Sequence, residues 1–173
     1  MTNKEFFQQC WRSEMQSTLT ALKALPSADK LAYKPAEKNR NAKQLVDHFV
    51  SHVEDLNEAV ETGVINHRVM AEYTTVNDAI DIFERESGRL MSMLDDVDEK
   101  TWDEKNVPMM VFGNKVGEGS LSHMCWMFLF DIIHHRGQLS TYYRPMGAVQ
   151  PSIYGPTAEM VEAMMAETQA SSN

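Results

Sequence analysis

A chain of 173 residues, 43% hydrophobic and 24% charged, can bury the core of one domain without disulfide or metal staples. Its formal net charge of -9 leaves no clustered Lys and Arg surface, which argues against a nucleic-acid partner, because phosphate binding draws on counterion release at basic groups. The start "MTNKEFFQQCWRSEMQ" lacks the basic-then-apolar order of a signal peptide, and the longest apolar run, Met124 to Phe130, is too short to cross a bilayer.

From Lys4 to Leu25 the chain lacks Gly and Pro, and Thr2 and Glu5 have capping-box spacing, so a first helix is expected up to Pro26. A second starts at Asn41, with Gln44 reaching back. Leu45, Phe49, Val53, Leu56 and Val60 give it a one-sided apolar stripe that ends near Gly63. A third begins at Thr75, with Asp78 in its first turn and Val76, Ile80, Phe83, Leu90, Met91, Leu94 and Val97 on its buried face. The segment from Thr101 to Gly119 holds Pro108 and three glycines around a short apolar run, which reads as a loop or a small hairpin.

A fourth long helix is expected from about Ser120 to Met146, then a break at "GAVQPSIYGP", a short acidic helix near Ala158 to Glu167 and a polar tail from about residue 168. These elements describe one all-α domain over residues 1–173, a four-helix bundle with an irregular or hairpin connector before its last long helix. Cys10 and Cys125 lie far apart in helical segments without CxxC spacing. They read as small buried hydrophobes in a reducing compartment, and hence as a cytoplasmic protein.

The stretch "FDIIHHRGQLSTYYRPMG" poses the functional question, because adjacent helical residues point about 100° apart and His134 and His135 cannot both face the core. The apolar centre of this helix falls near Leu121, Cys125, Phe128, Ile132 and Leu139. His135 lies about 40° from that centre and Asp131 about 80° on the same side, while His134 lies about 140° away and points outward. Asp131 and His135 are four apart and can hold the same object.

A buried aspartate without a partner costs several kcal/mol. The bland compensation is an Asp131–His135 pair; the sharper one is a divalent metal, which accepts imidazole and carboxylate ligands. A third ligand would come from "LVDHFVSH", where His48 and His52 flank the apolar stripe and wheel geometry does not choose between them. HExxH, CxxC, EF-hand and GxSxG patterns are absent, so an enzyme here would depend on a metal electrophile.

"HHRGQLSTYYRPMG" resembles the most distinctive segment of the DinB-like (DinB/YfiT) superfamily, metal-binding four-helix bundles in which HRGQ closes the last long helix. "KPAEKNRNAKQLVDHF" is similar to that family's entry into its second helix, and "PSIYGPTAE" looks like the tail of one branch, so the likeness spans about Tyr33 to Glu159. The resemblance implies a metal site of His48, Asp131 and His135, with His48 taken over His52. It also shows a departure, since many members carry histidine where this chain has Asp131, so the metal (Zn, Ni, Fe or Mn) stays open.

His134, Arg136 and Gln138 belong to the motif without being expected as ligands, and the 13 methionines are expected mainly in the core. By resemblance, the function is that of a metal-dependent enzyme on a small molecule, a thiol-dependent S-transferase that uses a low-molecular-weight thiol. Metal-dependent hydrolysis and a non-catalytic, stress-associated metal-binding role are the alternatives. Dimers are common for such bundles, although no apolar stripe here demands one.

Overall fold

Side-chain caps start the long helices where the sequence predicts. Thr2, Asn41 and Thr75 each accept a hydrogen bond from the backbone N–H three residues on, while Glu5, Gln44 and Asp78 reach back to the cap backbone. They open α1 (Asn3–Lys23), α2 (Ala42–Thr62) and α3 (Val76–Asp95). The structure, a computed structural model, describes residues 1–68, 71 and 73–171. α1 stops two residues short of expectation, because Pro26 lacks an N–H and disfavours helical geometry at Leu25.

α2 packs against α3 and α5 (Leu121–Ser140), and α1 packs against the same two, so the four long helices close a ring of contacts. α2 is enclosed on more sides than its one-sided stripe implies. Its buried residues include Asp47, His48, Ser51, His52, Asp55 and Asn57 beside the expected Leu45, Phe49, Val53 and Leu56. Burying that many polar groups is costly unless they are paired or functional.

The fold is mostly helical, not all-α. A short helix α4 (Glu99–Glu104), capped by Asp98, precedes β2 (Asn106–Val111) and β3 (Asn114–Ser120), the small hairpin allowed by the sequence. Its two-residue turn sets Phe112 at φ 50° and Gly113 at φ 78°, the positive angles that match the twist of paired strands. A third strand, β1 (Ile65–Asn66), runs parallel to β2 and pairs with Met109 and Met110. Two residues carry no readable period, so nothing in the pattern announced it.

α5 ends at Ser140, not Met146. The Ser140 and Thr141 hydroxyls donate to the carbonyls of Gly137 and Gln138, and Tyr143 donates to Ala21 O at 2.5 Å, which anchors the chain to α1 as it turns. α6 (Ala158–Ser171) runs past the expected start of the polar tail. Among the described residues, no helix is long and apolar enough to cross a membrane.

Candidate metal centre

The facing surfaces of α2 and α5 bring the predicted site residues together. One ligand atom from each of His48, Asp131 and His135 lies within 4.8 Å of the other two. The His48 and His135 rings stack with centroids 4.7 Å apart and planes 23° from parallel. Both histidines are buried, whereas the Asp131 side chain is 41% exposed, so the carboxylate sits at the mouth of the site and not in the core. His134 is exposed, as the wheel predicts.

The expected Asp131–His135 pair is the weaker of two contacts. Asp131 Oδ2 lies 3.4 Å from His135 Nε2 but accepts a hydrogen bond from His52 Nε2 at 2.6 Å. His52, set aside by the family resemblance, is thus the closer partner of the carboxylate. Partial burial raises the Asp131 carboxyl, but its contacts with His135 and His52 outweigh this and hold it well below the usual carboxylate range. His52 is shifted upward: burial disfavours its charged form, and bonds and charge from Asp131 and Asp55 more than compensate.

Gln138, the last residue of HRGQ, has a definite task. Its Oε1 can only accept, so His135 Nδ1–H donates to it at 2.7 Å and the ring's Nε2 lone pair is left toward the site. The Arg40 guanidinium lies 3.4 Å from that Nε2. His48 Nδ1 is buried without a hydrogen-bond partner among the described residues. Burial first, then the charges of His52, Arg40 and His135, pushes His48 down to about 3, so its imidazole is neutral at physiological pH. A neutral imidazole with an unpaired nitrogen, a second imidazole held in one tautomer and an ionised carboxylate fit a divalent cation.

Sequence reasoning missed His67. This residue follows β1, and its N–H donates to Met110 O at 2.9 Å. Its Nδ1–H donates to the buried Asp55 Oδ2 at 2.6 Å. It lies outside every periodic segment, and its only signal is its place shortly after the helix stop at Gly63.

A cleft of about 520 Å3 opens beside Asp131, lined by His52, Met109, Met127, Phe128, Phe130 and His134. Its two methionines, Met109 and Met127, are partly buried against the core and line this cleft with their remaining surface. Neither cysteine reaches it, and burial pushes the Cys125 thiol up, away from nucleophile chemistry.

These features define a class: a mostly helical protein with a polar, imidazole-rich pocket between two of its four long helices. The chain belongs to the DinB family, whose sequence pattern matches residues 1–169. It is 25% identical over 128 residues to the uncharacterized protein YjoA of Bacillus subtilis (strain 168), covering 74% of this chain and 81% of that one. The crystal structure of that DinB-like protein matches with a TM-score of 0.66 at 20% identity, over 87% of this chain and 99% of the other. A DinB-like protein from Bacillus cereus ATCC 10987 matches with a TM-score of 0.68 at 19% identity, over 87% and 97%. At such identities the two structures speak for the fold alone.

Proposed function

We propose that the chain binds a divalent ion through His48, Asp131 and His135, and that this centre serves an enzyme acting on a small molecule with a low-molecular-weight thiol as co-substrate. The observation that carries the reading is the half-exposed Asp131, which belongs both to the triad of possible ligands and to the wall of the apolar cleft. A sealed structural site would have no such mouth. The ring of long helices, read as a four-helix bundle, holds the ligands on two rigid elements.

When bound, such an ion lowers the pKa of a thiol or water that joins it. The chain's own residues do the rest. Gln138 fixes the His135 tautomer, Asp131 places negative charge at the mouth, and Met109, Met127, Phe128 and Phe130 take an apolar substrate group and exclude water. An added thiol suits a cleft without a cysteine nucleophile, and the two free cysteines suit a reducing, cytoplasmic setting.

The test is a panel of electrophiles offered to metal-loaded protein with and without small thiols. The expected result is thiol consumption that requires the ion and is lost in His48→Ala. Ester or amide hydrolysis without thiol would favour the hydrolase alternative, and tight metal binding without turnover the non-catalytic one.

A further inference from the structure

The pocket contains more imidazole than the proposed triad uses. His48 and His52 stand one turn apart on α2 with ring centroids 4.7 Å apart, and His67 completes a three-ring cluster at 5.8 Å from His48 and 5.4 Å from His52. One ligand nitrogen from each lies within 4.8 Å of the other two. Bonds of about 2.0–2.1 Å to a tetrahedral ion put ligand nitrogens roughly 3.3 Å apart, so side-chain shifts of about 1.5 Å or less close the set.

The surroundings are those of ligands more than of core histidines. Asp55, fully buried, accepts from His67 Nδ1 and lies 3.9 Å from His52 Nδ1, while its Oδ1 has no partner among the described residues. Asp131 holds His52 from the other side, through Nε2. A carboxylate on one ring nitrogen is the usual means of fixing a histidine so that its other nitrogen meets a metal. In neutral rings these bonds leave lone pairs on His52 Nδ1 and His67 Nε2. Among the described residues, His52 Nδ1 and His48 Nδ1 are both buried without hydrogen-bond partners, a cost that a core gains nothing by keeping.

The backbone delivers His67 by a definite route. Gly63, at φ 80°, ends α2 in the left-handed region that glycine occupies freely. Glu58 then accepts from the backbone and side chain of Asn66, and the pairing of β1 with β2 brings the next residue back over Asp55. The small sheet thus carries one member of the cluster.

We propose a second cation position, formed by His48, His52 and His67 and braced by Asp55, that alternates with the first triad through the shared His48. It suits a nitrogen-preferring divalent ion such as Zn(II) or Co(II), because it is built from three imidazoles without a carboxylate ligand. This position does not depend on Asp131 or His135 being ligands.

The test is a titration of metal-free protein with Co(II) alone, read by visible absorption and by chelator competition. The Asp131→Asn, His135→Ala double variant, whose asparagine oxygen can still accept from His52 Nε2, should still bind about one Co(II) per chain, and adding His67→Ala should weaken binding at least 100-fold. Equal affinity in the double and triple variants, whether tight or weak, overturns the proposal. If that equal affinity is weak while the unsubstituted protein binds tightly, the first triad stands alone; if that protein also binds weakly, both sites fall. Circular dichroism reports folding, and His67→Gln replaces His67→Ala where the alanine variant loses helix.

Discussion

Two polar clusters flank α5 at the same level, one built on Asp131 and His135 toward α2, the other on Arg136 toward α1. Adjacent residues of one motif start them, and they differ in how fully they are satisfied. Arg136 is 1% exposed and donates to Glu14 O at 2.9 Å and Thr18 Oγ1 at 3.0 Å, and also to the Glu14 carboxylate and the Tyr154 hydroxyl. Its guanidinium lies over the Tyr154 ring, which ties the segment after α5 to α1. Across the helix, His48 Nδ1, His52 Nδ1 and Asp55 Oδ1 are buried without partners among the described residues, and Asp131 faces a cleft. Closed hydrogen-bond networks fix a fold, whereas buried groups left open mark a place where something else binds.

The comparison breaks most visibly at Arg136. Arg136→Ala removes the charged partner of the Glu14 carboxylate, leaving it only the Tyr154 hydroxyl, and should cost about 3–5 kcal/mol in denaturant unfolding. Arg136→Lys should recover only part of this, because an ammonium lacks the planar fork. A loss under about 1 kcal/mol would mean that the cluster is not the clamp described.

On the other face, substitution should move metal affinity more than stability. Asp131→Ala should weaken binding about tenfold or more, while Asp131→His should retain the ion and shift preference toward Ni, Cu or Zn over Mn. Chelator competition at one pH on all three proteins measures this. Equal affinities would return Asp131 to the role of a partner for His52.

A smaller effect concerns pH. His48 sits near 3 in the folded protein against an ordinary 6.5, so between these values the unfolded chain holds the extra proton. Its contribution to stability is therefore present above about pH 6.5 and is lost as pH falls toward 3. His52, shifted upward, acts in the opposite sense: its contribution is full below pH 6.5 and is lost as pH rises through its raised value. In metal-free protein, His48→Gln should flatten the fall in unfolding free energy between pH 6.5 and 4. An unchanged slope would remove His48 as its source. The smallest effect is expected at the exposed His134, where alanine should change stability by less than about 0.5 kcal/mol and leave metal binding intact. A folded but metal-free His134→Ala would contradict the orientation of α5.

What was legible in the sequence follows from the range of the signals. Thr2, Asn41 and Thr75 cap their helices through residues three away, and that chemistry is fully local. Apolar spacing along α5 separated His134 from His135 for the same reason. The 2.6 Å bond from His52 to Asp131 spans 79 residues, and His67 reaches Asp55 only because a two-residue strand pairs with a hairpin some forty residues on. Neither leaves a periodic trace. The stripe on α2 also understated its burial, since a helix enclosed by two neighbours buries polar residues that a one-sided pattern assigns to solvent.

On the proposed function, the open cluster, and His48 above all, holds a metal. Chelator-competition titration of the unsubstituted protein against a folded His48→Ala, His135→Ala variant tests it most directly. The unsubstituted protein should bind about one divalent ion per chain, and the variant should lose more than about 100-fold in affinity, because His48 is common to both triads. Undiminished binding in a folded double variant would contradict it.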